Sequence, residues 1–136
     1  KVEKFIEKRK ENFKWLKNNL KKFEEYFILP EAEENSEPAW FGFPITIRDN
    51  VNFTLNELNG YLFSHYVDTR PIFTGNITKQ PYFKNKNFRI SGELRNTDKM
   101  MEKTFWVGVY PGLTIEMMEF VVKTIGDFLK YKNNIE

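Results

Sequence analysis

The sequence predicts an α+β domain, a small sheet with helices packed against it and a long N-terminal helix. Three patterns predict this class. Apolar residues recur at helical spacing over residues 1–29, aromatic and β-branched residues form a strand pattern at residues 105–110, and helical spacing returns after residue 114. The expected order is therefore helix, strand, helix, short strands, helix, strand, helix. We expect residues 1–136 to form one domain.

The first predicted element is a helix over residues 1–29, which Pro30 ends. A helix of about 28 residues would span roughly 42 Å, which is longer than so small a domain needs. It packs on the domain's own core as a basic solvated helix, or one end packs on something outside this chain. Binding to a membrane surface is a third reading, which the mixture of acids and lysines disfavours. Its apolar positions mostly fall three, four or seven apart: Val2, Phe5, Ile6, Phe13, Leu16, Leu20, Phe23 and Phe27.

The next predicted elements are a loop, a strand and a helix. Residues 30–39 read as an acidic loop bounded by prolines, and "WFGFPITI" at 40–47 reads as a strand that enters the core. A helix is expected over residues 55–63. Thr54 suits its N-cap, and Glu57 three residues later completes a capping box.

The second half of the chain begins with shorter segments. Residues 66–70 read as a short extended piece and residues 88–92 as a further strand. A helix is expected over residues 96–103, capped by Asn96 or Thr97.

The last predicted elements are the clearest strand, at 105–110, and a helix that follows the turn "PGLT" with Thr114 as its N-cap. We expect that helix to bury one apolar face, formed by Met117, Phe120, Val121, Ile125, Phe128 and Leu129.

Composition excludes several classes of function. The chain has 14 phenylalanines, which argues against disorder, and a net charge of +2, which gives no electrostatic reason to propose nucleic acid as a partner. No apolar run is long enough to span a bilayer. With no cysteine and one histidine, the chain offers no disulfide, thiolate metal site or histidine-rich metal site. The lack of cysteine fits a reducing compartment, and we expect a cytoplasmic protein.

The chain also lacks the patterns of a self-contained catalytic site. It has no glycine-rich phosphate loop and no G-x-S-x-G motif. His65 lies near the end of the second predicted helix, where a surface or half-buried role is commoner than catalysis. The chain begins with Lys1 instead of Met, so we expect a part of a longer protein.

One loop stands out, "TRPIFTGNITKQP" at residues 69–81. Arg70 can bind two oxygens of a phosphate or carboxylate through its planar guanidinium, and Pro71 biases it towards an extended backbone. Gly75 followed by Asn76 allows positive φ and close approach of a ligand. The residues alone leave two readings open, a ligand site and a plain structured loop. Tyr110, at the end of the clearest strand, could face the same site.

Four motifs in order resemble the C-terminal part of the sugar aminotransferases of DegT/DnrJ/EryC1/StrS type. They are "WFGFPITI" (40–47), "TRPIFTGNITKQP" (69–81), "NTDKMM" (96–101) and "FWVGVYPGL" (105–113). "NFKWL" (12–16) is also similar to the segment that connects the two domains of that family. The match is strongest with the dehydrase branch, the CDP-4-keto-6-deoxyglucose-3-dehydrase-like enzymes of lipopolysaccharide and deoxysugar biosynthesis.

The resemblance implies a fold-type-I enzyme of the vitamin B6 class. In such enzymes a large domain holds pyridoxal or pyridoxamine phosphate, a small C-terminal domain closes over it, and the active site lies at a homodimer interface. The dehydrase branch uses a histidine in place of the cofactor lysine and removes the C3 hydroxyl of a nucleotide-linked 4-keto-6-deoxyhexose. Some members add an iron–sulfur cluster and a reductase partner, and the resemblance leaves both open for this chain.

By this resemblance the chain is the small domain, with residues 1–29 as the connecting helix. It would hold no catalytic, cofactor-binding or metal-binding residue, His65 would not be the catalytic histidine, and the isolated chain would be inactive. The expected substrate contacts are Arg70, helped by Thr69, Asn76, Gln80 and Tyr110. The alternatives are a nucleotide-sugar aminotransferase of the same family and a free-standing protein-interaction domain.

Overall fold

The computed structural model describes residues 1–134, which form four α-helices, three short 3₁₀ helices and a four-stranded sheet. This confirms the predicted α+β class. The helices and strands are α1 (Val2–Leu20), β1 (Phe27–Ile28), β2 (Gly42–Ile47), α2 (Leu55–Ser64), β3 (Arg70–Pro71), α3 (Arg95–Lys103), β4 (Thr104–Gly108) and α4 (Ile115–Asn133). The sheet is antiparallel throughout, in the order β1-β2-β4-β3.

Strands β2 and β4 form the centre of the sheet. Phe43 lies opposite Val107 and Ile45 opposite Phe105, and all four side chains are buried. Because side chains alternate along a strand, the residues between them point to the other face. There the hydroxyls of Thr46 and Thr104 are 2.8 Å apart.

The main core lies between one face of the sheet and helices α1, α2 and α4. The ring of Phe13 in α1 is 4.8 Å from that of Phe43 in β2, and the ring of Phe53 meets that of Phe128 in α4 at 5.1 Å. Helix α3 contacts β2 and β4, and Met100 of this helix lies 3.9 Å from the hydroxyl of Thr104. Since Thr104 and Phe105 point to opposite faces, α3 covers the second face.

The prediction of one helix over residues 1–29 is wrong beyond Leu20. A short 3₁₀ turn follows at Lys21–Phe23, and Phe27 then pairs with Ile47 as the first residue of β1. Phe27 is completely buried. Its position fits the helical spacing of apolar residues, but the residue lies in strand β1. The spacing of apolar residues in the sequence does not show that these residues pair with a distant strand, β2.

Three predicted boundaries are confirmed closely. The strand at 40–47 is β2, and the helix at 55–63 is α2, in which Thr54 and Glu57 form both hydrogen bonds of the capping box. Thr114 caps α4 by accepting a hydrogen bond from the Met117 amide.

Other predictions are wrong. Residues 88–92 form no strand, since no neighbouring strand pairs with them within the described chain. Helix α3 begins after Leu94 with no side-chain cap, so neither Asn96 nor Thr97 is its N-cap. The extended piece predicted at 66–70 reaches β3 only with its last residue.

The predicted buried face of α4 is correct only in part. Ile125, Phe128 and Leu129 are buried and Val121 is half-buried. Met117 and Phe120 are about half exposed, at 54% and 48%, because the first two turns of the helix border an open cleft.

Candidate functional site

Arg70 lies on the edge strand β3, where it is opposite Trp106 of β4. The Trp106 indole donates a hydrogen bond to the carbonyl of Pro71 at 3.1 Å and so fixes this short strand to the sheet. Nη2 of Arg70 is 2.9 Å from Oδ2 of Asp68, and both side chains are about two-thirds exposed. A guanidinium has five N–H donors, so this ion pair leaves donors of Arg70 available to a ligand.

The side chain of Asn76 is buried and holds the loop in place through hydrogen bonds. It is 2% exposed, and its amide donates to Oδ1 of Asp98 at 2.7 Å. Its carbonyl accepts from the backbone and the hydroxyl of Thr78, at 3.0 Å and 2.7 Å. The hydrogen bond from Asn76 and the ion pair with Lys79 lower the pKa of Asp98. The polar groups of Asn76 are thus engaged within the chain.

The side chains of the other predicted substrate contacts differ in their exposure to solvent. The Gln80 amide donates to the carbonyl of Thr74 at 2.6 Å and closes the loop. Thr69 is half-buried beside Arg70. Tyr110 is 69% exposed, and its backbone carbonyl accepts a hydrogen bond from Asn12 at 2.8 Å. Arg70 and Tyr110 are therefore the two predicted residues that present open side chains.

The loop after β3 is a tight turn. The Gly75 amide donates to the carbonyl of Ile72 at 2.9 Å, and Phe73 and Gly75 both have positive φ, +44° and +58°. The conformation at Gly75 agrees with the sequence prediction. Phe73 is 80% exposed and did not figure among the predicted contacts, since a phenylalanine gives no sequence signal for positive φ.

A larger cleft of about 560 Å³ lies between the residues that follow α2, the end of β4 and the start of α4. Its walls are mainly apolar, and Asp68 and Glu116 are its acidic residues. Hydrogen bonds from its own backbone N–H and from the Thr114 hydroxyl lower the pKa of Glu116. Arg70 does not line this cleft and approaches it only through Asp68. The lining residues are Leu16, Tyr66, Val67, Asp68, Val107, Gly108, Tyr110, Leu113, Glu116, Met117, Met118, Phe120 and Val121.

Tyr66, at the mouth of this cleft, is 97% exposed and has a φ of +60°. It follows the C-cap of α2, where the amide of Val67 donates to the carbonyl of Leu62 at 2.9 Å and that of Tyr66 to Phe63 at 3.0 Å. These are the two hydrogen bonds of a Schellman motif, and Tyr66 occupies its left-handed position, which glycine usually fills.

A smaller cleft of about 340 Å³ lies between the turn and α3. It is lined by Ile72, Phe73, Thr74, Gly75, Asn96, Thr97 and Met100. It joins two of the sequence motifs, the loop at 69–81 and "NTDKMM" at 96–101.

Within residues 1–134, no helix combines the length and apolar character needed to cross a membrane.

Curated relatives match most of this chain. The chain is 47% identical over 127 residues to the lipopolysaccharide biosynthesis protein RfbH of Salmonella typhimurium, a match over 93% of this chain and 29% of that protein. It is 40% identical over 129 residues to dTDP-4-dehydro-2,6-dideoxy-D-glucose 3-dehydratase of Saccharopolyspora spinosa, covering 95% of this chain and 28% of the relative. The chain thus spans less than a third of the length of these relatives.

Solved structures share the fold. GDP-4-keto-6-deoxy-D-mannose-3-dehydratase of E. coli, with bound hydrated PLP, superposes with a TM-score of 0.82 at 22% identity, over 92% of this chain and 32% of that one. An aminotransferase from Psychrobacter cryohalolentis superposes with a TM-score of 0.83 at 18% identity, over 95% of this chain and 35% of that one.

The two clefts described above do not fit a phosphorylated cofactor such as PLP. The lining of the larger cleft includes no lysine, arginine or histidine, and its charged residues, Asp68 and Glu116, would repel a phosphate. The smaller cleft has no charged lining residue.

The family comparison agrees with the fold and with the order of the motifs. The sequence model of the DegT/DnrJ/EryC1/StrS aminotransferase family matches residues 1–126, which is most of the chain. The chain belongs to the DegT/DnrJ/EryC1/StrS aminotransferase family.

Proposed function

We propose that this chain is the small domain of a vitamin-B6-dependent 3-dehydrase that acts on a nucleotide-linked 4-keto-6-deoxyhexose in lipopolysaccharide or deoxysugar biosynthesis. The similarity to RfbH and to a dTDP-sugar 3-dehydratase supports this reaction class. The residues that hold pyridoxal or pyridoxamine phosphate would lie outside this chain, in the remaining two thirds of the enzyme.

The exposed guanidinium of Arg70 is the observation that supports a role in substrate binding. Its backbone is fixed by pairing with Trp106, and Asp68 orients one side of the guanidinium. The free donors can then form charge-assisted hydrogen bonds with a phosphate of the sugar nucleotide. In this proposal the domain holds the substrate and closes the site, and the chemistry is supplied by the cofactor elsewhere. Tyr110 would add an open aromatic contact.

The replacement Arg70→Ala in the full-length enzyme tests this role. Loss of a charge-assisted contact should cost on the order of 1.5–3 kcal/mol, so KM for the nucleotide sugar should rise by roughly tenfold or more. The absorbance of the bound cofactor should not change, because in this proposal the cofactor's phosphate site lies outside this chain.

A matched control is Arg95→Ala. Arg95 also forms an exposed ion pair with an acid two residues away, Glu93, at 2.6 Å. This variant should keep the wild-type KM. Unchanged KM and turnover in Arg70→Ala would contradict the proposed role.

A nucleotide-sugar aminotransferase is the second candidate, since the aminotransferase from Psychrobacter cryohalolentis shares the fold with a TM-score of 0.83. Absorbance spectra of the full-length protein with added cofactor separate the two. A lysine-linked cofactor band that interconverts on addition of amino donors indicates an aminotransferase. Bound pyridoxamine phosphate without that band, together with loss of the C3 hydroxyl from the sugar, indicates a dehydrase. Absence of cofactor binding would contradict both and leave a protein-interaction domain.

The proposal extends to a cytoplasmic homodimer with the active site between subunits, as the family resemblance implies. Light scattering of the full-length protein tests the dimer.

A further inference from the structure

Arg70 lies on a strand that is too short to hold its side chain in place by pairing alone. Strand β3 consists of Arg70 and Pro71, and both residues are exposed at the edge of the sheet. Pro71 has no backbone N–H, so this strand offers few hydrogen bonds to β4. The direction of the Arg70 guanidinium therefore depends on a further contact that holds β3.

The indole of Trp106 supplies that contact and extends across three strands. Trp106 lies opposite Arg70 in the β3–β4 pair, so the two side chains project from the same face of the sheet. On one side, the indole N–H donates to the carbonyl of Pro71 at 3.1 Å. On the other side, the ring lies against the backbone of β2, since a Cβ built on Gly42 would be 2.2 Å from Cε3 of Trp106. Only glycine leaves room for the indole at that position.

A second aromatic ring holds the indole from outside. The ring centroids of Phe41 and Trp106 are 5.1 Å apart, with an angle of 56° between the ring planes. The guanidinium of Arg9 in α1 lies over the Phe41 ring, 5.8 Å from its centroid. Tilted aromatic pairs and cation–π contacts at these distances are favourable. A continuous set of contacts therefore runs from α1 through Phe41 and Trp106 to the strand that carries Arg70.

The two rings lie outside the main core. Trp106 is half-buried and Phe41 is 63% exposed. Because they remove less apolar surface from water than the buried phenylalanines do, they contribute less to the stability of the whole fold. Their main consequence is local, at the edge of the sheet where β3 lies.

We propose that Trp106 is a positioning residue for Arg70 and that Phe41 supports it in this role. The inference rests on the proposed function, in which Arg70 binds a phosphate of the sugar nucleotide. Trp106 keeps β3 against the sheet and so keeps the guanidinium in the direction that the phosphate requires. Without the indole N–H, Arg70 is present but less well oriented. Substrate then binds more weakly, while the chemical step that the cofactor supplies is unchanged.

Steady-state kinetics of the full-length enzyme test this role. Trp106→Phe keeps an aromatic ring and removes the N–H donor. It should raise KM for the nucleotide sugar by about two- to tenfold, the usual size of one hydrogen bond, and leave kcat unchanged. Phe41→Leu should raise KM by a smaller factor, and its exposed position makes it the variant that folds even if Trp106→Phe does not.

A double replacement separates positioning from a general structural effect. In an Arg70→Ala background, Trp106→Phe should cause no further rise in KM, because the residue that it positions is absent. A general loss of structure would raise KM and lower kcat in both backgrounds alike.

Trp15→Phe is the matched control. Trp15 is also half-buried, but it lines a groove between α1 and α4, and its indole N–H makes no hydrogen bond with any residue of 1–134. This variant should keep the wild-type KM.

The outcomes distinguish this inference from the proposed function. Unchanged KM in Trp106→Phe and Phe41→Leu, with Arg70→Ala impaired, would overturn the positioning role and keep the proposed function. An equal rise in KM from Trp106→Phe with and without Arg70 would also overturn it, because the indole would then act independently of the guanidinium. Unchanged KM in Arg70→Ala would contradict the proposed function and this inference with it.

Discussion

At the scale of single residues, the candidate site depends on a few positions where the backbone is unusual. Gly75 has a φ of +58°, and a Cβ built on it would lie 2.3 Å from Cγ of Met101. The turn after β3 can therefore approach α3 only because this residue has no side chain. The same approach brings Asn76 within hydrogen-bond distance of Asp98.

The replacement Gly75→Ala should lower the free energy of unfolding by about 1–2 kcal/mol, because it combines a left-handed backbone with a close contact. Urea unfolding of the chain measures it. Gly60→Ala is the control, since a Cβ there meets nothing within 4 Å. In the middle of α2 alanine should raise stability by about 0.5–1 kcal/mol. Equal effects of the two replacements would contradict the proposed geometry of the turn.

At the scale of elements, the capping box of α2 links this helix to α4. The carboxylate of Glu57 accepts hydrogen bonds from the backbone and hydroxyl of Thr54, at 2.7 Å and 2.8 Å, and pairs with Lys132. The hydrogen bond from Lys132, followed by those from Thr54, lowers the pKa of Glu57 to about 2. Local capping and a contact between two helices thus depend on one charged group.

This pKa predicts how stability changes in acid. Because the pKa in the folded chain is below the ordinary value of 4.5, the ionised Glu57 contributes stability above that value. The contribution should disappear as the pH falls from about 4.5 through about 2. Glu57→Gln should be less stable than wild type at neutral pH and should lose less stability on acidification. Urea midpoints measured at neutral and acidic pH give both quantities.

Glu34→Gln provides the reference for that experiment. Glu34 is an exposed acid of the loop after β1, and its carboxylate has no hydrogen bond or ion pair among the described residues. Its replacement should leave the urea midpoint at neutral pH unchanged, because an exposed side chain without such contacts contributes little to stability. An identical acid dependence for wild type and Glu57→Gln would contradict the assignment.

At the scale of the whole molecule, Asn12 connects two segments that are far apart in the sequence. This residue lies in α1 and is 1% exposed. Its amide donates to the carbonyls of Val109 and Tyr110, at 3.4 Å and 2.8 Å, nearly one hundred residues later. The contact joins α1 to the end of β4, next to the larger cleft.

The replacement Asn12→Ala should therefore lower the free energy of unfolding by about 1–3 kcal/mol, because the buried carbonyl of Val109 and the partly buried carbonyl of Tyr110 lose their donor. Asn18→Ala, at an exposed position of the same helix, should have little effect. Urea unfolding compares the two variants. If Asn12→Ala were as stable as the control, water would be forming hydrogen bonds with those carbonyls, and the hydrogen bonds from Asn12 would contribute nothing to the free energy of unfolding.

The candidate site was predictable in part. The sequence places Arg70 before a proline and Gly75 in a turn, and the structure has both in those roles, with Arg70 extended on β3 and Gly75 at positive φ. Asn76 was expected to shape this loop among the substrate contacts, and its side chain is buried, with a hydrogen bond to Asp98 of α3. The sequence does not distinguish an amide that holds a loop together from one that is open to a ligand, because the position of Asp98 decides between them.

The sequence by itself determined the α+β class, the helices α2 and α4 with their caps, and the strands β2 and β4. These features depend on local spacing, local hydrogen bonds and side-chain type, all of which act within a few residues. Only the tertiary structure decided that Phe27 belongs to the sheet, that residues 88–92 have no strand partner, and that Met117 and Phe120 border a cleft. Those outcomes depend on contacts between distant segments, whose free energy overrides weak local preferences.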